Sequence, residues 1–184
     1  MLADIKKLRS TGQLAGPQPD TAVLTIINFV DKHLIEFSQR YASSEIKNEK
    51  GLTQKLCNIL NKYARRDGYS FYFDKEYMEE PETGTSPQVD IGVITSEEEG
   101  VAIGSRVYGS DESLFSLEAK RLGIKEHSRE KEYLVGRMEK GTYKDCGGVE
   151  RFKKGIHGKT LKYGGLLGYV QEHDFEYWHG VINS

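Results

Sequence analysis

The 184-residue chain is poor in cysteine, proline and tryptophan, with two, four and one respectively. Each shortage excludes something. Cys57 and Cys146 lie far apart with no Cys-x-x-Cys spacing, so neither a disulfide framework nor a zinc knuckle can be built from them. Two reduced thiols remain. The longest apolar run, VLTIINFV (23–30), is too short to cross a membrane. The opening MLADIKKLRSTGQLAG lacks the apolar stretch of a secretory signal. A soluble, cytoplasmic protein is the expectation. An excess of basic charge is missing too: 26 Lys and Arg stand against 28 Asp and Glu, a net charge of −2. That excludes a histone-like binder and requires any nucleic-acid contact to come from a local patch. With 29% charged and 37% apolar residues, wholesale disorder is not expected. At this length one domain buries roughly 70% of its unfolded surface and needs no staples.

The pattern of apolar residues supplies the elements. Residues 1–19 mix charge, Gly and Pro and read as a loosely held lead-in to a single domain over 20–184. Asp20 is a good N-cap for a helix over 21–40, whose stripe is Val23, Ile26, Ile27, Val30, Leu34 and Phe37. A second helix over 46–66 has Leu52, Leu56, Ile59, Leu60 and Tyr63 on its buried face, and Asp67–Gly68 ends it. The period then changes. Strands are expected at 70–78, 88–95 and 113–122, with a short one in VAIG (101–104) and a loop around 108–112. A charged helix over 128–140, a short helix within 147–158 with Val149, Phe152 and Ile156 on one side, a strand at 164–171 and a closing helix aligning Phe175, Trp178 and Ile182 complete the chain. The fold class is α/β: a central mixed sheet flanked by helices.

Three segments bear chemistry. In SLFSLEAKRL, alternation puts Phe115, Leu117 and Ala119 on one face and Ser116, Glu118 and Lys120 on the other. An acid and an amine therefore emerge side by side, although a solvated sheet face gives the same alternation. QVDIGVIT places Asp90 as the only acid in a strand otherwise built for burial, with Gly92 beside it leaving room for a ligand or a close backbone approach. A structural Asp near a turn is the other reading, since a lone buried acid is costly unless it is paired or bound to a metal. Glu49 falls on the apolar stripe of the second helix. It could reach the sheet as a ligand or simply favour the helix N-terminus.

Together, Glu49 in a helix, Asp90 in a strand and Glu118-Ala119-Lys120 in the next strand resemble the PD-(D/E)xK nuclease superfamily. The motif residues span 49–120, and the element order αβββαβ extends the likeness to about 171. Val89 rather than Pro precedes Asp90, with Pro87 nearby, and 95–112 reads as an insertion. The resemblance implies a restriction-endonuclease-like core and Mg²⁺-dependent hydrolysis of DNA, with Mn²⁺ able to substitute. It implies that Asp90, Glu118 and the Ala119 carbonyl bind the metal, with Glu49 as an outer or second-metal ligand. Lys120 would hold and activate the attacking water and offset developing negative charge, and beside a bound metal and phosphate its pKa can be lowered. Gln171, at the end of the next strand, looks like the polar residue many relatives place near that water. Such chemistry suits hard cations with carboxylate ligands.

A basic cluster follows. Arg151, Lys153, Lys154, Lys159 and Lys162, interleaved with glycines, Phe152 and Tyr163, could contact backbone phosphates, or could be a solvated face. The five histidines show no metal spacing and read as structural or exposed, and the acidic runs 79–82 and 96–100 read as loop solvation, with weak metal binding as the other reading. A chain this short has little room for a separate sequence-reading domain, so it would be a structure- or end-directed nuclease, or one steered by a partner protein or by homodimerisation. The rival readings are a catalytically inactive nucleic-acid-binding or assembly subunit with the same fold, and an α/β interaction domain in which the motif is coincidence.

Overall fold

The computed structural model describes residues 21–46, 48–81, 87–123, 137–144 and 148–183. The lead-in over 1–19, Asp20, Cys146 and most of the expected helix over 128–140 lie outside them.

Two helices, α1 (Thr21–Tyr41) and α2 (Glu49–Arg66), precede the sheet. The α1 stripe is rotated slightly from expectation: Phe29 and His33 join Val23, Ile26, Val30 and Phe37 in the interior, while Ile27 faces outward. Helix α2 starts three residues later than expected because Asn48 caps it, Oδ1 accepting from Gly51 N–H at 2.7 Å. Glu49 is thereby its first residue.

The central sheet contains β1 (Phe71–Met78), β2 (Gln88–Thr95), β5 (Ser113–Leu122) and β8 (Gly164–Val170), in the order β1-β2-β5-β8. The first two pairings are antiparallel and the β5–β8 pairing is parallel, so the sheet is mixed. Ile91 pairs with Leu117 and Val93 with Phe115, and Ala119 neighbours Leu167, so one continuous apolar face meets α1 and α2. Burial of this face is the main source of stability. A parallel neighbour demands a long crossover. It carries a hairpin, β6 (Arg137–Glu139) with β7 (Thr142–Lys144), and the short helix α3 (Gly148–Lys153). A second hairpin, β3 (Val101–Ile103) with β4 (Arg106–Tyr108), fills the β2–β5 connection. Helix α4 (Phe175–Asn183) closes the chain, with Trp178 against Leu122.

Several expectations need correcting. Residues 137–139 are strand rather than helix: Lys140 and Gly141 take positive φ of 50° and 79°, which turns the chain back into a hairpin. Residues 106–108 are a strand where only a loop around 108–112 was expected. Helix α3 stops at Lys153 because Gly155 is left-handed (φ 64°), leaving Ile156 outside it. Phe175 is 60% exposed and does not join Trp178 in the interior. Gly92 does not leave room for a ligand. A Cβ there would meet the Tyr77 ring at 2.6 Å, so the glycine serves the packing of Tyr77.

Candidate active site

The second face of the sheet is where the polar residues of β2 and β5 converge. It is not a solvated face. Ser116 is fully buried, Glu118 is 2% exposed, and Lys120 is only partly accessible. The strands part here. The β2–β5 ladder ends at Ile91 and Leu117, and beyond it the Asp90 carboxylate, not a β2 carbonyl, accepts the Ala119 N–H at 2.7 Å. On the other neighbour, Glu76 takes a left-handed φ of 56° and turns its carboxylate to Lys50 at 2.8 Å. Asp90 thus sits where β2 loses regular pairing on both sides.

Lys120 gathers the acids. Its Nζ lies 2.9 Å from Glu118 Oε1 and donates to the Ala119 carbonyl at 2.9 Å. Asp90 Oδ2 and Glu49 Oε1 are each 3.8 Å from the same nitrogen. Glu49 gets there because the Asn48 cap places it at the very start of α2, from which Oε2 accepts the Arg121 N–H at 3.1 Å. Four of the sequence-derived residues, from three elements, therefore meet about one amine, with the Ala119 carbonyl among them.

The electrostatics are those of a site with too little positive charge. Burial and the neighbouring Glu118 push the Asp90 carboxyl up to about 6, against an opposing hydrogen bond from Ala119 and the charge of Lys120. Burial works to lower the Lys120 pKa, but Glu118, Glu49 and Asp90 outweigh it and hold the amine above its ordinary value. In this arrangement the lysine is a firmly charged counter-ion.

Gln171 stands one step away. Its Oε1 accepts from Arg121 Nε at 3.0 Å, and Arg121 leaves β5 on the side opposite Lys120. The residue also lines a groove between α1 and β8 with Phe37 and Tyr169. Its link to the carboxylates runs through the Arg121 backbone that Glu49 accepts from.

The basic cluster divides. Lys153, Lys154, Lys159 and Lys162 are exposed, Lys154 pairing with Glu150 at 2.8 Å and Lys162 lying over the Tyr163 ring. Arg151 turns inward instead, with NH1 3.6 Å from Glu118 Oε1.

Two participants escaped the sequence reading. His157 is 1% exposed and lies between carboxylates, Nε2 3.8 Å from Glu118 Oε2 and Nδ1 3.7 Å from Glu79 Oε2. Glu79 is no solvated loop acid, since Oε1 also accepts the Gly158 N–H at 2.8 Å. A lone His between Ile156 and Gly158 gives no spacing signal. The available hint was that an apolar and glycine-rich turn, GIHG, contains one ring able to face two acids.

The donor set fits a hard cation: carboxylates and a backbone carbonyl, in surplus over their counter-charges. Among the described residues, however, no three His, Cys, Asp or Glu side chains already form a metal cage. Lys120 Nζ occupies two of the oxygens that a cation would need, and would have to swing outward to release them. No family model, curated protein or solved structure matches the chain. Among the described residues no helix is long and apolar enough to cross a membrane.

Proposed function

We propose that the chain is a cytoplasmic, Mg²⁺-dependent nuclease of restriction-endonuclease-like fold that hydrolyses DNA phosphodiester bonds with water as nucleophile. One observation carries this reading: Asp90, Glu118 and Glu49, from β2, β5 and α2, come within 3.8 Å of one amine, Lys120 Nζ. An isolated surface Glu-x-Lys would not bury its glutamate or draw two further acids to its lysine. The partial unpairing of β2 at Asp90 supports it as well, because a strand gives up ladder hydrogen bonds at cost.

Asp90, Glu118 and the Ala119 carbonyl would hold the metal, with Glu49 at its margin. When bound, a divalent ion supplies charge stabilisation to the phosphate and lowers the pKa of a coordinated water. The protein's own part is positioning. Lys120, freed from Glu118, orients the attacking water and offsets charge on the phosphate oxygens. As the water oxygen bonds to phosphorus, the bond to the leaving oxygen breaks, the water loses a proton and the leaving oxygen gains one.

The test is cleavage of supercoiled and linear DNA with Mg²⁺ or Mn²⁺, comparing wild type, Lys120→Ala and an EDTA control. Metal-dependent cutting that disappears in the variant is expected. Equal residual cutting by both proteins would mark a contaminant and sink the proposal. A second reading, a nucleic-acid-binding or assembly subunit without catalysis, draws support from Lys120, whose amine neutralises Glu118 directly. Absence of metal-dependent cutting together with retained DNA binding would favour it.

A further inference from the structure

Arg151 is the one basic residue of the cluster that faces the carboxylates, and its guanidinium is underused. NH1 is 3.6 Å from Glu118 Oε1, beyond hydrogen-bond range, and the buried Nε has no hydrogen-bond partner. A guanidinium carries five N–H donors in a planar fork. Leaving a buried one unsatisfied is costly unless something else completes it.

The backbone holds this side chain in place. After α3 the chain folds back so that Ile156 N–H and His157 N–H both donate to the Arg151 carbonyl, at 2.8 and 3.2 Å. His157 is thereby driven into the interior between Glu79 and Glu118, with both ring nitrogens lacking hydrogen bonds. Phe152 closes the turn against the strand: a Cβ on Gly164 would meet its ring at 2.7 Å. So Arg151 is anchored on a packed turn, while 27% of its side chain remains accessible.

Charge complementarity points the same way. From 137 to 163 there are eight basic and three acidic residues, a net +5 in a chain whose total is −2. Anionic substrate would be drawn to this segment. Once there, it meets three carboxylates and a lysine already committed to Glu118. Arg151 is the cation beside Glu118 with donors to spare, and its fork matches two oxygens of one phosphate.

We infer that Arg151, seated by the turn that buries His157, is a phosphate-binding residue of this site and grips the DNA backbone beside Glu118. The inference rests on the nuclease reading. It adds a substrate contact that the metal-and-lysine constellation does not supply.

The experiment pairs two measurements on the full chain: binding of a short DNA duplex in EDTA over a range of salt, and kcat and KM for cutting with Mg²⁺. Wild type, Arg151→Ala, Arg151→Lys and the exposed control Lys32→Ala, outside the basic cluster, are compared, with thermal melting as a check on folding. Arg151→Ala is expected to weaken duplex binding roughly tenfold and to make the salt dependence shallower by about one. Arg151→Lys should restore the salt slope but not the full affinity, because it keeps the charge and loses the fork. KM should rise in parallel. If a folded Arg151→Ala binds and cuts with wild-type affinity and KM, the inference fails while the nuclease reading stands. If Arg151→Ala unfolds and Arg151→Lys matches wild type throughout, Arg151 merely balances Glu118, and the inference again fails. If wild type neither binds nor cuts DNA, both fall together.

Discussion

Asp90 is ionised at neutral pH only against the resistance of its surroundings. Its carboxyl is pushed from 3.8 up to about 6 by burial and by Glu118. Because the folded value lies above the unfolded one, the contribution to stability is present at low pH and lost as pH rises through about 6. In EDTA at pH 8, Asp90→Asn should therefore stabilise the protein, by an amount on the order of 2 kcal/mol. Denaturant titration at pH 8 and pH 4 checks this, with the gain expected at pH 8 and largely absent at pH 4. A variant less stable than wild type at both values would show that the carboxylate serves structure. Cys57 is a simpler case. Burial raises its thiol to about 12, so alkylation of the native protein at pH 8 should leave it unmodified. Peptide mass spectrometry before and after unfolding would reveal the change. Gly92 belongs at this scale too. Gly92→Ala forces a Cβ to 2.6 Å from the Tyr77 ring and should cost about 1–3 kcal/mol. Relief of that loss in the double variant with Tyr77→Ala would confirm the clash.

Among the elements, α2 does more for the site than its apolar stripe implies. Its N-terminus delivers Glu49 to the Arg121 N–H and toward Lys120. Asn48→Ala should cost about 1 kcal/mol through loss of the cap. It should also loosen Glu49, so activity is expected to fall further than melting temperature predicts. A variant with full activity and lowered stability would detach Glu49 from the chemistry. The sequence reading begins this helix at residue 46 and names no cap, although Asn is a favoured capping residue; the periodic stripe marks a helix well but its first residue poorly. Strand β5 was legible only by half. Alternation correctly sorted Phe115, Leu117 and Ala119 from Ser116, Glu118 and Lys120. Period two is blind to what covers the second face, and here α3 and its following turn do so.

At the scale of the whole molecule, metal and folding should be linked. A ligand that binds only the native state at a hundred times its Kd adds about 2.7 kcal/mol of stability. Mn²⁺ or Mg²⁺ should raise the melting temperature of wild type and leave that of Asp90→Asn nearly unchanged. Equal shifts in both proteins would place the ion elsewhere. The basic segment 137–163 counts at this scale as well, carrying a net +5 in a chain whose total is −2.

Local chemistry was enough to set the α/β class, the helices α1 and α2, the main strands and the candidate residues Asp90, Glu118 and Lys120. Apolar periodicity, turn residues and capping act over a few positions, and a sequence displays them directly. Tertiary structure decided the rest. Only the crossover into the parallel strand β8 brings Arg151 and His157 beneath Glu118, more than thirty positions away along the chain. Only the packed arrangement, with three carboxylates crowding one amine, holds Lys120 above its ordinary value. Charge interactions depend on distance and burial in space, and neither quantity is written in the order of the residues.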